Sequence, residues 1–259
     1  YLGANVQLIV ERIFPKTIYD LMKKDHRIFC LLGDIGVFSF REVFKRFKNR
    51  ILNMSTMEQT MIGFSAGLSK AGYIPIVHSI TPFLVLRALE QIKIDLVYNK
   101  LSCNIVSVGA SNDYSKLGTT HHCFEDISTL SNYKDINLFL PSSPQELEYL
   151  LKKNYSNKGI NYFRISEKNE NRLIKKNGFI KFDKNKKIVI IVGNAISEKI
   201  LLNKKNDVYY VNSLTKVMNL EFIKNYEKIV IIEPYFGNIL ERNIKNKNFL
   251  KNKILTISY

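Results

Sequence analysis

The chain has 259 residues, 46% of them hydrophobic, and can therefore bury one large core or two modest ones. No apolar run of about 18 residues is present, so we expect a soluble protein without a membrane span. The apolar first ten residues lack a basic stretch and a cleavage pattern, which argues against a signal peptide; without an initiator Met, it stays open whether they are native. Three widely spaced cysteines indicate a reducing cytoplasm rather than a disulfide framework.

The formal net charge is +16, and so strong a basic balance raises nucleic acid as a possible partner. The lysines, however, are mixed with asparagines along the whole second half, as in Lys184 to Lys187 and Lys245 to Asn248. This distribution is typical of a solvated surface and not of one basic face, so we do not expect nucleic-acid binding.

Short apolar runs without helical periodicity predict the strands of the first two thirds of the chain. They are residues 28–32, 50–54, 74–79, 104–109 and 136–140. Because their apolar character is continuous, both faces should be buried, which predicts a mainly parallel sheet flanked by helices. Right-handed crossovers then place the carboxyl ends of these strands along one edge of the sheet.

A domain boundary is predicted near residue 166. Residues 167–187 are charged and poor in apolar runs, which is typical of a linker with one hairpin. Strand patterns resume at 188–192, 208–211, 229–232 and 254–257. The sequence therefore predicts an α/β protein with two such domains, residues 1–166 and 188–259, joined by the linker.

Three segments should meet at the edge of the first sheet: Gly33 to Gly36, Ser55 to Glu58, and His78 to Phe83. No glycine-rich dinucleotide fingerprint, P-loop or nucleophile elbow is present. Glu58 opens an otherwise apolar helix, where it is either the acid of a capping box with Ser55 or a catalytic acid. The adjacent residues His121, His122 and Cys123 cannot readily converge on one zinc ion, so no metal site is predicted from them.

Six blocks, in order and spacing, resemble the pyrimidine-binding domain of transketolases. They are Gly33-Asp34-Ile35-Gly36; Arg50 to Met54; Met57-Glu58-Gln59; Ala66 to Pro75; Pro82-Phe83 with Arg87 to Ile92; and Leu117 to His122 with Glu125-Asp126. The later part of the chain is similar to the transketolase C-terminal domain in strand pattern only, with Ile231-Ile232-Glu233 followed by Gly237 as its best block.

The resemblance implies thiamine diphosphate as cofactor. Glu58 would then bind a ring nitrogen of the aminopyrimidine, which favours the imino form that removes the thiazolium proton. Phe83 is expected to stack on that ring, with an ordinary core phenylalanine as the alternative. Asp34 and Ile35 are expected beside the cofactor, although Asp34 would equally suit a helix cap. Arg87 is expected to support the site from outside.

For the substrate, His121 matches the family histidine that acts next to the reacting carbonyl of a sugar. Arg164 matches an arginine that grips the sugar phosphate, a task that suits its bidentate fork. His78 either lines the same pocket or is structural. Leu117 stands where full-length transketolases carry an aspartate, so the chain departs from the family pattern there.

The segment that binds the diphosphate and its divalent ion in the family is not found in the sequence. The resemblance therefore implies the C-terminal subunit of a split transketolase, with Mg²⁺ held by a partner subunit in an α2β2 heterotetramer. In carbohydrate metabolism such an enzyme moves a two-carbon ketol unit from a ketose phosphate to an aldose. A 2-oxo acid dehydrogenase beta subunit, a deoxyxylulose-phosphate synthase and a non-catalytic scaffold are the alternatives. His121 and Arg164 favour a sugar phosphate over a simple 2-oxo acid.

Overall fold

The computed structural model describes residues 12–166, 173–196, 205–214, 220–245 and 253–258. The first ten residues and part of the expected linker lie outside the described residues. The strands are β1 Ile28–Leu32, β2 Ile51–Asn53, β3 Ile74–Ile80, β4 Cys103–Val108, β5 Ile136–Phe139, β6 Ile160–Ile165, β7 Gly178–Lys181, β8 Lys187–Val192, β9 Asp207–Val211, β10 Ser213–Leu214, β11 Lys228–Glu233 and β12 Lys253–Ser258.

The helices cover the two sheets. The α-helices are Phe14–Lys24, Arg41–Arg46, Glu58–Lys70, Leu89–Gln91, Asp126–Leu130, Pro144–Asn154 and Ile239–Lys245. The π-helical turns are Pro82–Arg87 and Ile92–Tyr98, and the 3-10 turns are Val37–Phe40, Ser115–Leu117, Thr119–His121, Gly193–Ala195 and Glu221–Asn225.

The strands form two mainly parallel sheets, which confirms the predicted α/β class. The first has the order β10-β5-β6-β4-β3-β1-β2 and the second the order β12-β11-β8-β9-β7. Only β10 in the first sheet and β7 in the second pair antiparallel with their neighbours among the described strands. Every strand predicted from apolar runs is present, within one residue at each end.

Three strands were not predicted. β6 carries the polar residues Asn161 and Arg164, which are buried with partners and interrupt its apolar pattern. β10 has only two residues, and β7 lies inside the range expected to be a linker. The described part of that range, residues 173–187, shows no hairpin, because β7 pairs with the distant strand β9. Its partner therefore could not be predicted from the neighbouring sequence.

The core lies on both faces of the first sheet. One face packs Met61 and Ile62 of helix Glu58–Lys70 against Val77, while the other packs Phe14 of the first helix against Ile76. Because side chains alternate along a strand, neighbouring residues of β3 point to opposite faces. Leu32 of β1 pairs with both Asn53 of β2 and His78 of β3, so the three strands end at one edge, as predicted.

All three cysteines are free and buried. Burial raises the pKa of the Cys103 thiol to about 12, so it stays protonated at neutral pH. Within the described part of the chain, no helix has the length and apolar character that crossing a membrane requires.

Candidate active site

Glu58 is the centre of the candidate site. It is the first residue of its helix and only 1% exposed. Its Oε1 accepts a hydrogen bond of 2.7 Å from Ser79 Oγ, and its Oε2 forms an ion pair of 2.8 Å with Arg87 Nη1. The alternative of a capping box with Ser55 is wrong: the cap residue, Met57, makes no side-chain cap bond, and Ser55 instead adopts a left-handed backbone with φ 54°.

Gly33, directly after β1, allows Glu58 and Ser79 to approach the backbone. A Cβ added to this glycine would lie 2.6 Å from Ser79 Oγ and 3.4 Å from Glu58 Oε1. The Gly33 N–H also donates to the His78 carbonyl at 2.8 Å, which fixes the loop to β3. A larger residue would therefore displace the partners of the acid, a contact that the sequence pattern did not reveal.

Phe83, Arg87 and His121 extend the site from Glu58. Phe83 is half-buried, and the Arg87 guanidinium lies 4.2 Å from the centre of its ring, a cation–π contact. The His121 ring lies 5.1 Å from that of Phe83 at 73°. The structure thus brings together the predicted acid, aromatic residue and histidine. Arg87 was expected to support the site from outside. It instead lies within the site, where it contacts both the Glu58 carboxylate and the Phe83 ring.

Asp34 and Ile35 lie near the same edge of the sheet. Asp34 does not cap a helix and instead pairs with Asn53. Asp34 is exposed, with φ 58°, and accepts a hydrogen bond of 2.9 Å from Asn53 Nδ2. Its N–H donates in return to Asn53 Oδ1 at 3.1 Å, so the pair ties the loops after β1 and β2 together. Ile35 is partly buried against the core on the face of Phe14, opposite Glu58.

His78 lies on the opposite face of β3 from Ser79, and the suggestion that it lines a substrate pocket is wrong. It is fully buried, its ring centre is 4.7 Å from that of Phe14, and its Nδ1–H donates to the Val106 carbonyl at 2.8 Å. Burial lowers the pKa of His78 to about 4, so the ring is neutral. Its role is structural, the alternative that the sequence left open.

Arg164 is also buried, at 2% exposure, so the structure does not place it where a sugar phosphate could be gripped. Its Nε donates to Asp126 Oδ2 at 2.7 Å, and its Nη2 donates to Ser111 Oγ at 2.8 Å and to the Pro234 carbonyl at 3.0 Å. The expectation fails because β6 runs through the sheet interior, where Asp126 neutralises the guanidinium. Arg164 instead connects β6 to the two chain segments that flank the His121 loop.

The loop that carries His121 is held by the C-terminal unit. Ser111 Oγ donates to the Pro234 carbonyl at 2.5 Å, and the Phe236 N–H donates to the Phe124 carbonyl at 2.8 Å. The rings of Phe124 and Phe236 are stacked, with centres 4.6 Å apart. Residues on both sides of His121 are thus anchored, while Leu117 within the loop is 60% exposed.

The fold and the buried acid beside an aromatic ring define a protein with a transketolase-type pyrimidine-binding domain. The chain belongs to the transketolase family: its residues 8–171 match the family described as "Transketolase, pyrimidine binding domain".

Curated relatives match the first part of the chain. The chain is similar to a protein of Actinobacillus succinogenes that is described as one subunit of an apulose-4-phosphate transketolase, with 32% identity over 48% of this chain and 40% of the relative. The protein of the same description from Phocaeicola vulgatus is 30% identical over 58% of this chain and 48% of its own length. The chain spans about half the length of the curated relatives it matches.

A solved structure, described as "Split gene transketolase, inactive beta4 tetramer", has the same fold. It superimposes with a TM-score of 0.80, covering 96% of this chain and 88% of that chain, at 20% identity. The two-sheet fold of the present chain is thus that of the solved chain.

Proposed function

We propose that this chain is the C-terminal subunit of a thiamine diphosphate-dependent transketolase, which transfers a two-carbon ketol unit from a ketose phosphate to an aldose. The observation that carries the proposal is the buried Glu58 carboxylate, joined through Arg87 to the half-buried Phe83 ring, with His121 on that ring. A non-catalytic scaffold has no need of an ionisable group buried at this edge.

The residues present fit the aminopyrimidine part of the cofactor. Glu58 offers a carboxylate to a ring nitrogen, Phe83 offers an aromatic face, and Gly33 leaves the space that a Cβ would fill. When bound, thiamine diphosphate supplies the nucleophilic carbon that accepts the ketol unit. Glu58 would hold the proton shared with the ring nitrogen, and His121 would orient the sugar by hydrogen bonding.

A second polypeptide is part of the proposal. In the part of the chain that the structure describes, no group of three or more His, Cys, Asp or Glu residues could hold a metal ion. In this proposal Mg²⁺ and the diphosphate are bound by the partner, in an α2β2 assembly. Two observations support this arrangement: the relatives are described as subunits of a transketolase, and the solved tetramer is described as inactive.

Sugar-phosphate specificity has weaker support than the cofactor. His121 and Arg164 were the two residues that favoured a sugar phosphate. Because Arg164 is buried, only His121 still supports that substrate class. The relatives named as acting on apulose 4-phosphate support a sugar phosphate. Identity of 27% to a 1-deoxy-D-xylulose-5-phosphate synthase from Clostridium tetani favours that reaction as the second candidate.

Reconstitution tests the proposal. The chain is mixed with the product of a neighbouring reading frame that carries a diphosphate-binding domain, and with thiamine diphosphate and Mg²⁺, and ketol transfer is followed. We expect activity only in the complete mixture, and a loss of about 100-fold or more for Glu58→Gln. The control Glu42→Gln removes a carboxylate that is 68% exposed and should leave the rate unchanged.

Activity of Glu58→Gln equal to that of the unmodified chain would overturn the proposal. Release of carbon dioxide from pyruvate and condensation with glyceraldehyde 3-phosphate, without ketol transfer, would favour the synthase. A folded complex that is inactive in every combination would favour the scaffold.

A further inference from the structure

Arg87 makes two contacts that an aminopyrimidine ring would also need. Its Nη1 donates to Glu58 Oε2 at 2.8 Å, and its guanidinium carbon lies 4.2 Å from the centre of the Phe83 ring. A guanidinium is planar, carries N–H donors and stacks on aromatic faces, so it can satisfy an acid and an aromatic ring at once. These are the acid and the ring assigned above to the cofactor.

The Glu58 carboxylate cannot be reached while both contacts are in place. Its side chain has 0% exposure, Oε1 is bonded to Ser79, and Oε2 is covered by Arg87. Any ligand that bonds to this acid must therefore displace a protein group. Ser79 lies on β3, fully buried, whereas the Arg87 side chain is 42% exposed. Arg87 is the group that is free to turn out into solvent.

The backbone around Arg87 also points to a functional role. Phe83 and Arg87 lie on one π-helical turn, Pro82–Arg87, and π-helical turns occur frequently at functional sites. The turn places the two residues so that the guanidinium covers the ring.

Arg27 offers a comparison away from the site. It is 61% exposed and forms an ion pair of similar length, 2.7 Å, with Asp25.

We propose that Arg87 and the cofactor's aminopyrimidine ring compete for Glu58 and Phe83, so that Arg87 must turn away before the ring can bind. This inference rests on the proposed function. Arg87 is then a gate: the apparent affinity for the cofactor is the intrinsic affinity multiplied by the fraction of time in which Arg87 leaves the acid uncovered. A residue that merely supports Glu58 would have the opposite effect, since its removal would weaken binding.

Binding of the pyrimidine part alone tests the gate on this chain without its partner. The probe is 4-amino-5-hydroxymethyl-2-methylpyrimidine, whose dissociation constant is measured by ligand-detected NMR with the full chain. We expect Arg87→Met to bind the probe about tenfold more tightly than the unmodified chain, because the competing group is gone. Arg27→Met is the matched control and should bind like the unmodified chain. Glu58→Gln should lose binding, alone and combined with Arg87→Met.

The outcomes separate the gate from the proposed function. Binding that depends on Glu58 and is unchanged or weaker in Arg87→Met overturns the gate and leaves the function standing. Binding in no variant, or binding that does not depend on Glu58, overturns the gate, while the proposed function is decided by ketol transfer in the reconstituted complex. The same affinities are then measured for thiamine diphosphate with Mg²⁺ in the reconstituted complex. Tightest binding by Arg87→Met and weakest binding by Glu58→Gln would show that Arg87 also competes with the whole cofactor. Circular dichroism of each variant shows that it is folded.

Discussion

Arg164 and Asp126 form a buried ion pair, with Nε and Oδ2 2.7 Å apart and side chains 1% and 0% exposed. Removing one member of a buried pair leaves an uncompensated charge, which costs about 3–5 kcal/mol. We therefore expect Asp126→Leu to lower the free energy of unfolding by roughly that amount, measured by urea denaturation. The Tyr162 hydroxyl also donates to Asp126, so it loses its acceptor as well.

The double variant Asp126→Leu with Arg164→Met measures how much the interaction between the two charges contributes to stability. Because no charge is left buried, we expect it to be more stable than Asp126→Leu alone. Additive losses would show that the two charges do not interact. The exposed pair Arg41 and Glu42, 3.9 Å apart, is the control, and Glu42→Gln should leave stability unchanged.

Gly33→Ala should disrupt the surroundings of Glu58. The new methyl group would lie 2.6 Å from Ser79 Oγ, so Ser79 must move and its bond to the acid weakens. We expect a loss of stability of about 1–3 kcal/mol in thermal unfolding and weaker binding of the pyrimidine probe. Gly67→Ala, in the same helix as Glu58 with nothing within 4 Å, should instead stabilise by about 0.5–1 kcal/mol. Equal effects of the two substitutions would contradict the close packing at Gly33.

Glu233 should make stability fall as pH rises. Burial raises the pKa of its carboxyl from 4.5 to about 7, opposed by hydrogen bonds from the Leu240 N–H and the Tyr235 hydroxyl. The folded state then keeps a proton that the unfolded chain releases between pH 4.5 and 7. Across this range the free energy of unfolding falls by about 3 kcal/mol, compared with a protein that has no titrating group at this position. Glu233→Gln supplies that protein, and the difference between the two unfolding free energies should grow up to pH 7 and then level off.

His78 should act in the opposite direction. Burial lowers the pKa of its ring from 6.5 to about 4, so below pH 6.5 the unfolded chain binds a proton that the folded chain does not. Stability is therefore complete above pH 6.5 and is lost as pH falls toward 4, by about 3 kcal/mol. In urea titrations His78→Met should lack this part of the acid sensitivity. A parallel pH profile for both proteins would show that His78 takes up its proton at the same pH in the folded and the unfolded chain.

Most of the sheet could be predicted from the sequence because apolar runs and the turns between them are local features. The strand β6 was missed because Asn161 and Arg164 interrupt its pattern, and their polar partners come from distant segments. The β7 strand was missed for a related reason, since it pairs with β9 and not with a neighbour in the chain.

The sequence by itself predicted that Glu58 and Phe83 lie at one edge of the sheet, because loops after parallel strands meet there, and its resemblance to the transketolase pyrimidine-binding domain added His121 to the site. Only the tertiary structure decided what each polar side chain contacts there. Whether a residue faces the site or the core depends on its side of the strand, and whether an arginine is open to a ligand depends on long-range partners. His78 is buried because it lies on the core side of its strand, and Arg164 is buried because it has long-range partners. Arg87 lies between the Glu58 carboxylate and the Phe83 ring.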